Sequence, residues 1–167
     1  MRTMMLGALL LLGACGFHPM MGADTRNADV SEMMNAVEIA EIKDRPGQMM
    51  RNLLIDHFYH DKKSTTPLYR LDVALETGLH NLSIEKDSSV SSGLATVSAT
   101  FRLVHIASGG IVFKGTSIAN PTYNISHYQW ASEVSLDSAV QRGIESISDD
   151  ISRRIALFFN RDEPLNH

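Results

Sequence analysis

From Tyr69 the chain alternates with a period of two: Tyr69, Leu71, Val73 and Leu75 are interleaved with Arg70, Asp72, Ala74 and Glu76. The alternation returns in Ala95, Val97, Ala99, Phe101 and Leu103, interleaved with Thr96, Ser98, Thr100 and Arg102. Successive side chains of a strand point to opposite faces, so each stretch predicts a strand with one buried and one wet face. A third strand, "IVFKGTSI", follows the short Gly-containing loop "ASGG" at 107–110, as the second arm of a hairpin should. On the wet side the parity places Arg70, Thr96, Ser98, Thr100, Arg102 and Lys114.

Helical periodicity flanks these strands. Met50, Leu53, Leu54, Ile55 and Phe58 recur at three and four, which predicts a helix over 48–59 that "STTP" at 64–67 terminates. The segment 130–159 predicts a long helix through Leu136, Val140, Ile144, Ile147, Ile151, Ile155 and Phe158, stopped by Asn160 and Pro164. "MNAVEIAEI", 34–42, reads as a first strand, and "KDRPGQ", 43–48, as a turn in which Pro46 keeps its predecessor out of a helix. Residues 16–32 have no period and predict an irregular arm. The order βαβββα predicts an α+β two-layer sandwich: a four-stranded, mostly antiparallel sheet with two helices on one face. The other face stays open.

The sole cysteine, Cys15, follows an uncharged apolar run. Met1 and Arg2, the apolar run from Met4 to Leu12, and the small residues Gly13 and Ala14 have the layout of a secretory signal. That run falls short of the roughly 20 apolar residues that span a bilayer. Its ending, Leu12-Gly13-Ala14-Cys15, resembles the lipobox of bacterial lipoproteins, in which the thiol takes up a diacylglyceryl group and the new amino terminus is acylated. The division expected is 1–14 signal peptide, 15–33 lipidated arm, 34–160 one α+β domain and 161–167 tail. Gly16 is not the aspartate that resembles an inner-membrane retention signal, which points to the periplasmic face of the outer membrane. With one cysteine no disulfide forms within the chain, so the core or a partner must hold the fold. A net charge of −4, more negative once Arg2 is removed, argues against nucleic acid as a partner.

No catalytic constellation stands out. His57 and His60 in "DHFYHD" have helical spacing for two metal ligands, but a catalytic zinc needs three and an open position, so a solvated helix end is the plainer reading. There is no G-x-S-x-G, and no Gly-rich loop opens a helix. The methionine pairs 20–21, 33–34 and 49–50 suit gap-filling in a core or partner surface better than a soft metal. No metal and no cofactor is expected. Arg70, Arg102 and Lys114, by contrast, share the open face and could meet phosphates.

Four segments in order, "CGFHPMMG", "DRPGQMMRNLL", "ATFRLVHIASGGIVFKGTSIANPTYN" and "DSAVQRGIESISDDISRRIALFF", resemble the lipopolysaccharide-assembly lipoprotein family, LptE (RlpB). The resemblance spans nearly all of the chain beyond Cys15, although "HPMMG" departs from the family's aromatic ending. It implies a two-helix, four-strand sandwich that sits as a plug in the lumen of the outer-membrane β-barrel LptD, helps it assemble and binds lipopolysaccharide. Arg70, Arg102 and Lys114 come from strand parity, not from the resemblance. The competing expectation is a free-standing periplasm-facing lipoprotein that binds a small ligand or peptidoglycan in an apolar pocket between the helices.

Overall fold

The computed structural model describes residues 25–59, 64–80, 91–126 and 128–162. The signal segment, Cys15, the pair Met20–Met21, His60 and residues 163–167 lie outside the described residues. The elements are α1 (Thr25–Asn35), β1 (Val37–Ile39), α2 (Asp44–Phe58), β2 (Tyr69–His80), β3 (Ser91–His105), β4 (Ile111–Ala119), β5 (Thr122–Ile125) and α3 (Gln129–Asp162). The sheet runs β1-β2-β3-β4, with β1 parallel to β2 and the other pairs antiparallel. The parallel pair needs a crossover, which α2 supplies.

The predicted parity holds along the sheet. Ala95, Val97, Ala99, Phe101 and Leu103 are buried, and Val97 to Leu103 join Leu71 in one core with Met50, Leu54 and Phe58 of α2 and Ile144, Ile147, Ile151, Ile155 and Phe159 of α3. Both long helices therefore cover one sheet face, giving the α+β two-layer sandwich. Met33, Met34, Met49 and Met50 all pack in or against that core, so these two pairs fill gaps between helices and sheet.

α3 packs tightly on the sheet at Gly143, where an added Cβ would sit 2.8 Å from Val97 Cγ2 and 3.4 Å from Pro121 Cγ. Gly143→Ala gains about 1 kcal/mol of helix propensity but meets a χ1-stiff valine, and overpacking costs about 1–3 kcal/mol. We expect a net loss of stability, read as a lower midpoint in urea; a raised midpoint would mean that the helix–sheet spacing yields freely.

Four boundaries differ from the sequence reading, the simplest being that α3 passes the expected stop at Asn160 and runs to Asp162. The arm expected to be irregular contains α1, a helix whose apolar residues Val30, Met33 and Met34 crowd its last turns, too few to set a period. The strand expected over 34–42 is only Val37–Ile39, because Met34 belongs to α1 and the chain leaves the sheet after Ala40 N donates to Leu71 O at 3.0 Å. The supposed turn 43–48 is largely the first turn of α2, where Pro46 costs no intrahelical bond. Its first residue, Asp44, takes φ +67°, a conformation Asp adopts more readily than most.

One strand was not expected. β5 pairs with β3 in the register of β4: Val97 faces Ala119 and Leu94 faces Thr122. β4 and β5 are thus one edge strand interrupted at Pro121, which has no N–H to donate, although its carbonyl accepts from Ala95 N at 2.9 Å.

The open sheet face as candidate functional site

The side of the sheet away from α2 and α3 presents the even-numbered residues in rows. Asp72, Arg102 and Lys114 are neighbours across β2, β3 and β4; Ala74, Thr100 and Thr116 form the next row, then Glu76, Ser98 and Ile118. Arg70, Arg102 and Lys114 therefore all lie on this face, as parity required, and the structure brings them to one end of it.

A single carboxylate organises the cations. Arg70 Nε donates to Asp72 Oδ1 at 3.0 Å, and Arg102 Nε donates to Asp72 Oδ2 at 3.1 Å. Arg70 and Arg102 side chains remain 49% and 59% exposed, so each pair is worth at most about 1 kcal/mol after solvent screening. Arg102 also faces Lys114 directly across the β3–β4 ladder, and like charges in that relation are unfavourable. Lys114 is exposed and has no ion-pair partner among the described residues. Three cations stand beside Asp72 and Glu38, which faces Arg70 across β1–β2, so one positive charge is left in excess in a chain that is negative overall. Such a cluster suits an anion with several oxygens.

Asp72 is the residue the sequence reading missed as a participant, although its place two residues from Arg70 on the same face was visible. Asp72→Asn should change stability by less than about 1 kcal/mol and tighten binding of a phosphate-bearing ligand by freeing both guanidinium groups. Titration of the variant with such a ligand checks this; weaker binding would show that the carboxylate orients the arginines rather than competing for them.

Other features settle the neighbouring surfaces. Arg154 Nη1 donates to Thr116 O and Arg142 Nη2 to Thr122 O, both at 3.1 Å, so α3 covers carbonyls of the β4–β5 edge. Asp150 holds the arrangement, accepting from Ser117 Oγ at 2.7 Å and pairing with Arg154 Nε at 3.1 Å. An edge covered in this way is a poor template for another strand. His57 Nε2 lies 3.0 Å from Asp149 Oδ1, tying α2 to α3 rather than ending in solvent. Among the described residues no group of three His, Cys, Asp or Glu side chains could hold a metal. Tyr59 Oη donates to Val37 O at 2.7 Å, and burial raises its phenol above the ordinary value.

A cleft of about 430 Å³ lies beside α2, lined by Glu41, Ile42, Gln48, Arg51 and Asn52. It is polar and flanks one helix. It is not the apolar pocket between two helices that a small-ligand binder was expected to show. No helix among the described residues is long and apolar enough to cross a membrane.

No family model matches the chain, and no curated protein matches it. Solved structures do. A Caulobacter crescentus protein provisionally designated a lipoprotein superposes with a TM-score of 0.63 at 18% identity, over 81% of this chain and 98% of that one. A minor lipoprotein from Acinetobacter baumannii gives 0.51 at 16% identity, over 72% of this chain and 88% of that chain. Rare lipoprotein B from Shewanella oneidensis gives 0.50 at 15% identity, over 72% and 92% respectively. At these identities the likeness establishes a shared fold. The fold is that of several lipoproteins, one of them rare lipoprotein B, consistent with the resemblance to the LptE (RlpB) family.

Proposed function

We propose that this protein is a non-enzymatic outer-membrane lipoprotein, anchored through acylated Cys15, that seats in the lumen of the barrel LptD and contacts lipopolysaccharide with its open sheet face. The observation that carries the reading is the pairing of one sheet face packed under α2 and α3 along Leu71 and Val97 to Leu103 with an uncovered face rich in Thr, Ser, Arg and Lys, which also carries Asp72, Glu76 and Ile118. A barrel lumen is lined by polar side chains, and a plug that fits it needs hydrogen-bonding groups rather than a dry patch. The shared fold with lipoproteins supports the anchored, envelope-facing half of the reading. The cation cluster supports the cargo half, because lipopolysaccharide carries phosphates that guanidinium and ammonium groups recognise. For the free-standing alternative the described residues offer a polar cleft beside α2.

The test is charge reversal. The double variant Arg102→Glu, Lys114→Glu should bind lipopolysaccharide about tenfold or more weakly, since a single hydrogen bond to a charged group is worth about 1.5–3 kcal/mol. Both side chains are exposed, so the fold should survive, which circular dichroism of the variant checks. Unchanged affinity would remove both residues from the site.

A further inference from the structure

The connection from β1 to α2 folds back on the helix that follows it. Asp44 takes φ +67°, and Gly47 then lies so near Ile42 that an added Cβ would meet Ile42 Cγ2 at 2.7 Å and its carbonyl carbon and oxygen at 3.0 Å. Glycine is the residue that permits this approach. Glu41 and Ile42 are thereby held beside the N-terminal half of α2, and together with Gln48, Arg51 and Asn52 they line the cleft of about 430 Å³. That volume admits a side chain with its neighbouring peptide groups. The three helical residues stand at i, i+3 and i+4 and so share one face of α2. Gln48 and Asn52 are exposed, and Arg51 is half-buried beside them.

Arg51 carries a charge with no counterpart. Its Nε is shut off from solvent without a hydrogen-bond partner, and among the described residues Arg51 joins no ion pair. One edge of the guanidinium has therefore given up water with no bond in return, an unfavourable state for a cation. The donors left to it are the N–H groups of its two terminal nitrogens. An anion in the cleft offsets the loss. Glu41 limits which anion fits, because a carboxylate in the cleft lining repels a second negative charge and so disfavours a doubly charged phosphate. A single carboxylate suits the planar fork of Arg51. The amides of Gln48 and Asn52 each donate and accept, which complements the peptide groups on either side of an acidic residue.

We infer that this cleft takes the carboxylate of an acidic side chain of a partner polypeptide, with Arg51 on the carboxylate and Gln48 and Asn52 on the adjoining peptide groups. The cleft lies on the α2 side of the sheet, so this contact and the lipopolysaccharide contact of Arg70, Arg102 and Lys114 use different surfaces. The inference deepens the proposed function and rests on it for the identity of the polypeptide, the barrel; the preference for a carboxylate does not depend on it.

The experiment uses the acylated full chain in a neutral detergent, labelled with a nitrogen isotope for NMR and titrated with acetyl-Ala-Glu-Ala-amide, its Gln counterpart, or acetate. The Arg51 Nε–H signal is identified by its absence from Arg51→Lys. The Glu peptide should move this signal to saturation, and the Gln peptide and acetate should each bind about fivefold or more weakly than the Glu peptide. Arg51→Lys keeps the charge without the fork, and should weaken the Glu peptide by a similar factor, read from the Gln48 and Asn52 amides. An unmoved Arg51 signal, or equal affinity for the Glu and Gln peptides, overturns the inference. Acetate binding as tightly as the Glu peptide overturns the polypeptide occupant. Neither result touches the seating in the barrel, which crosslinking from the open face reads separately: a missing crosslink with the peptide preference intact overturns the barrel and leaves the cleft.

Discussion

Phe101→Ala is expected to lower the unfolding free energy by about 3–5 kcal/mol, the largest stability loss of any single change considered for this fold. Phe101 is 1% exposed, faces Val73 on one side and Gly115 on the other, and meets the Phe113 ring at 5.9 Å between centroids. Its ring occupies the space that Gly115 leaves, since a Cβ there would come within 2.8 Å of Phe101 Cζ. Removing the ring opens a cavity over Gly115 between the sheet and the helices, where the glycine has no side chain to fill it, so little of the loss is recovered by collapse. Domains of this size are stable by about 5–15 kcal/mol in total, and no disulfide within the chain limits the unfolded ensemble. Urea denaturation of the Cys15→Ser chain with and without the substitution reads the difference; a loss below about 1 kcal/mol would mean that Phe101 is not central to the core.

Cys15→Ser is expected to abolish fatty-acid incorporation and, in cells lacking a barrel partner, to move the protein from the membrane fraction to the soluble one. Each buried methylene contributes about 0.8 kcal/mol, so several acyl chains on one residue amount to an anchor that does not exchange on a cellular timescale. Serine offers a hydroxyl of similar size but not the soft thiolate that takes up the diacylglyceryl group. Labelling with radioactive palmitate, followed by fractionation, reads both effects. Undiminished palmitate in the variant would place the modification elsewhere and undo the anchor.

Much of this architecture was legible because burial is one-sided. β2 and β3 alternate over many residues, α3 repeats its apolar stripe from Leu136 to Phe159, and in each case water on one face and core on the other leave a period in the sequence. Ile39 and Ile42 fall on opposite parities of the segment 34–42 yet are both buried, because Ile39 ends β1 while Ile42 lies beyond it, ahead of α2. Short or interrupted elements leave no such trace. β5 has four residues behind a proline, β1 has three, and α1 holds its apolar contacts at one end.

The site divides along the same line. Parity told which face carries Arg70, Arg102 and Lys114, because a face follows from period alone. That Asp72 binds two arginines at once depends on register between β2 and β3, 30 residues apart, and on side-chain rotamers. The arginines of α3 that cover the β4–β5 edge were hidden for the same reason: Arg154 and Thr116 are 38 residues apart, and nothing local links them. Cys15 is proposed from the lipobox-like motif alone and lies outside the described residues.

The central claim is that the open face is made to fit inside a larger barrel. Placing a photo-crosslinking side chain at Thr100, in the middle of that face, and purifying the acylated protein from irradiated outer membranes tests it most directly. The account predicts a covalent adduct with a large β-barrel protein, formed from position 100. Recovery of the protein as a solitary, uncrosslinked monomer would contradict it.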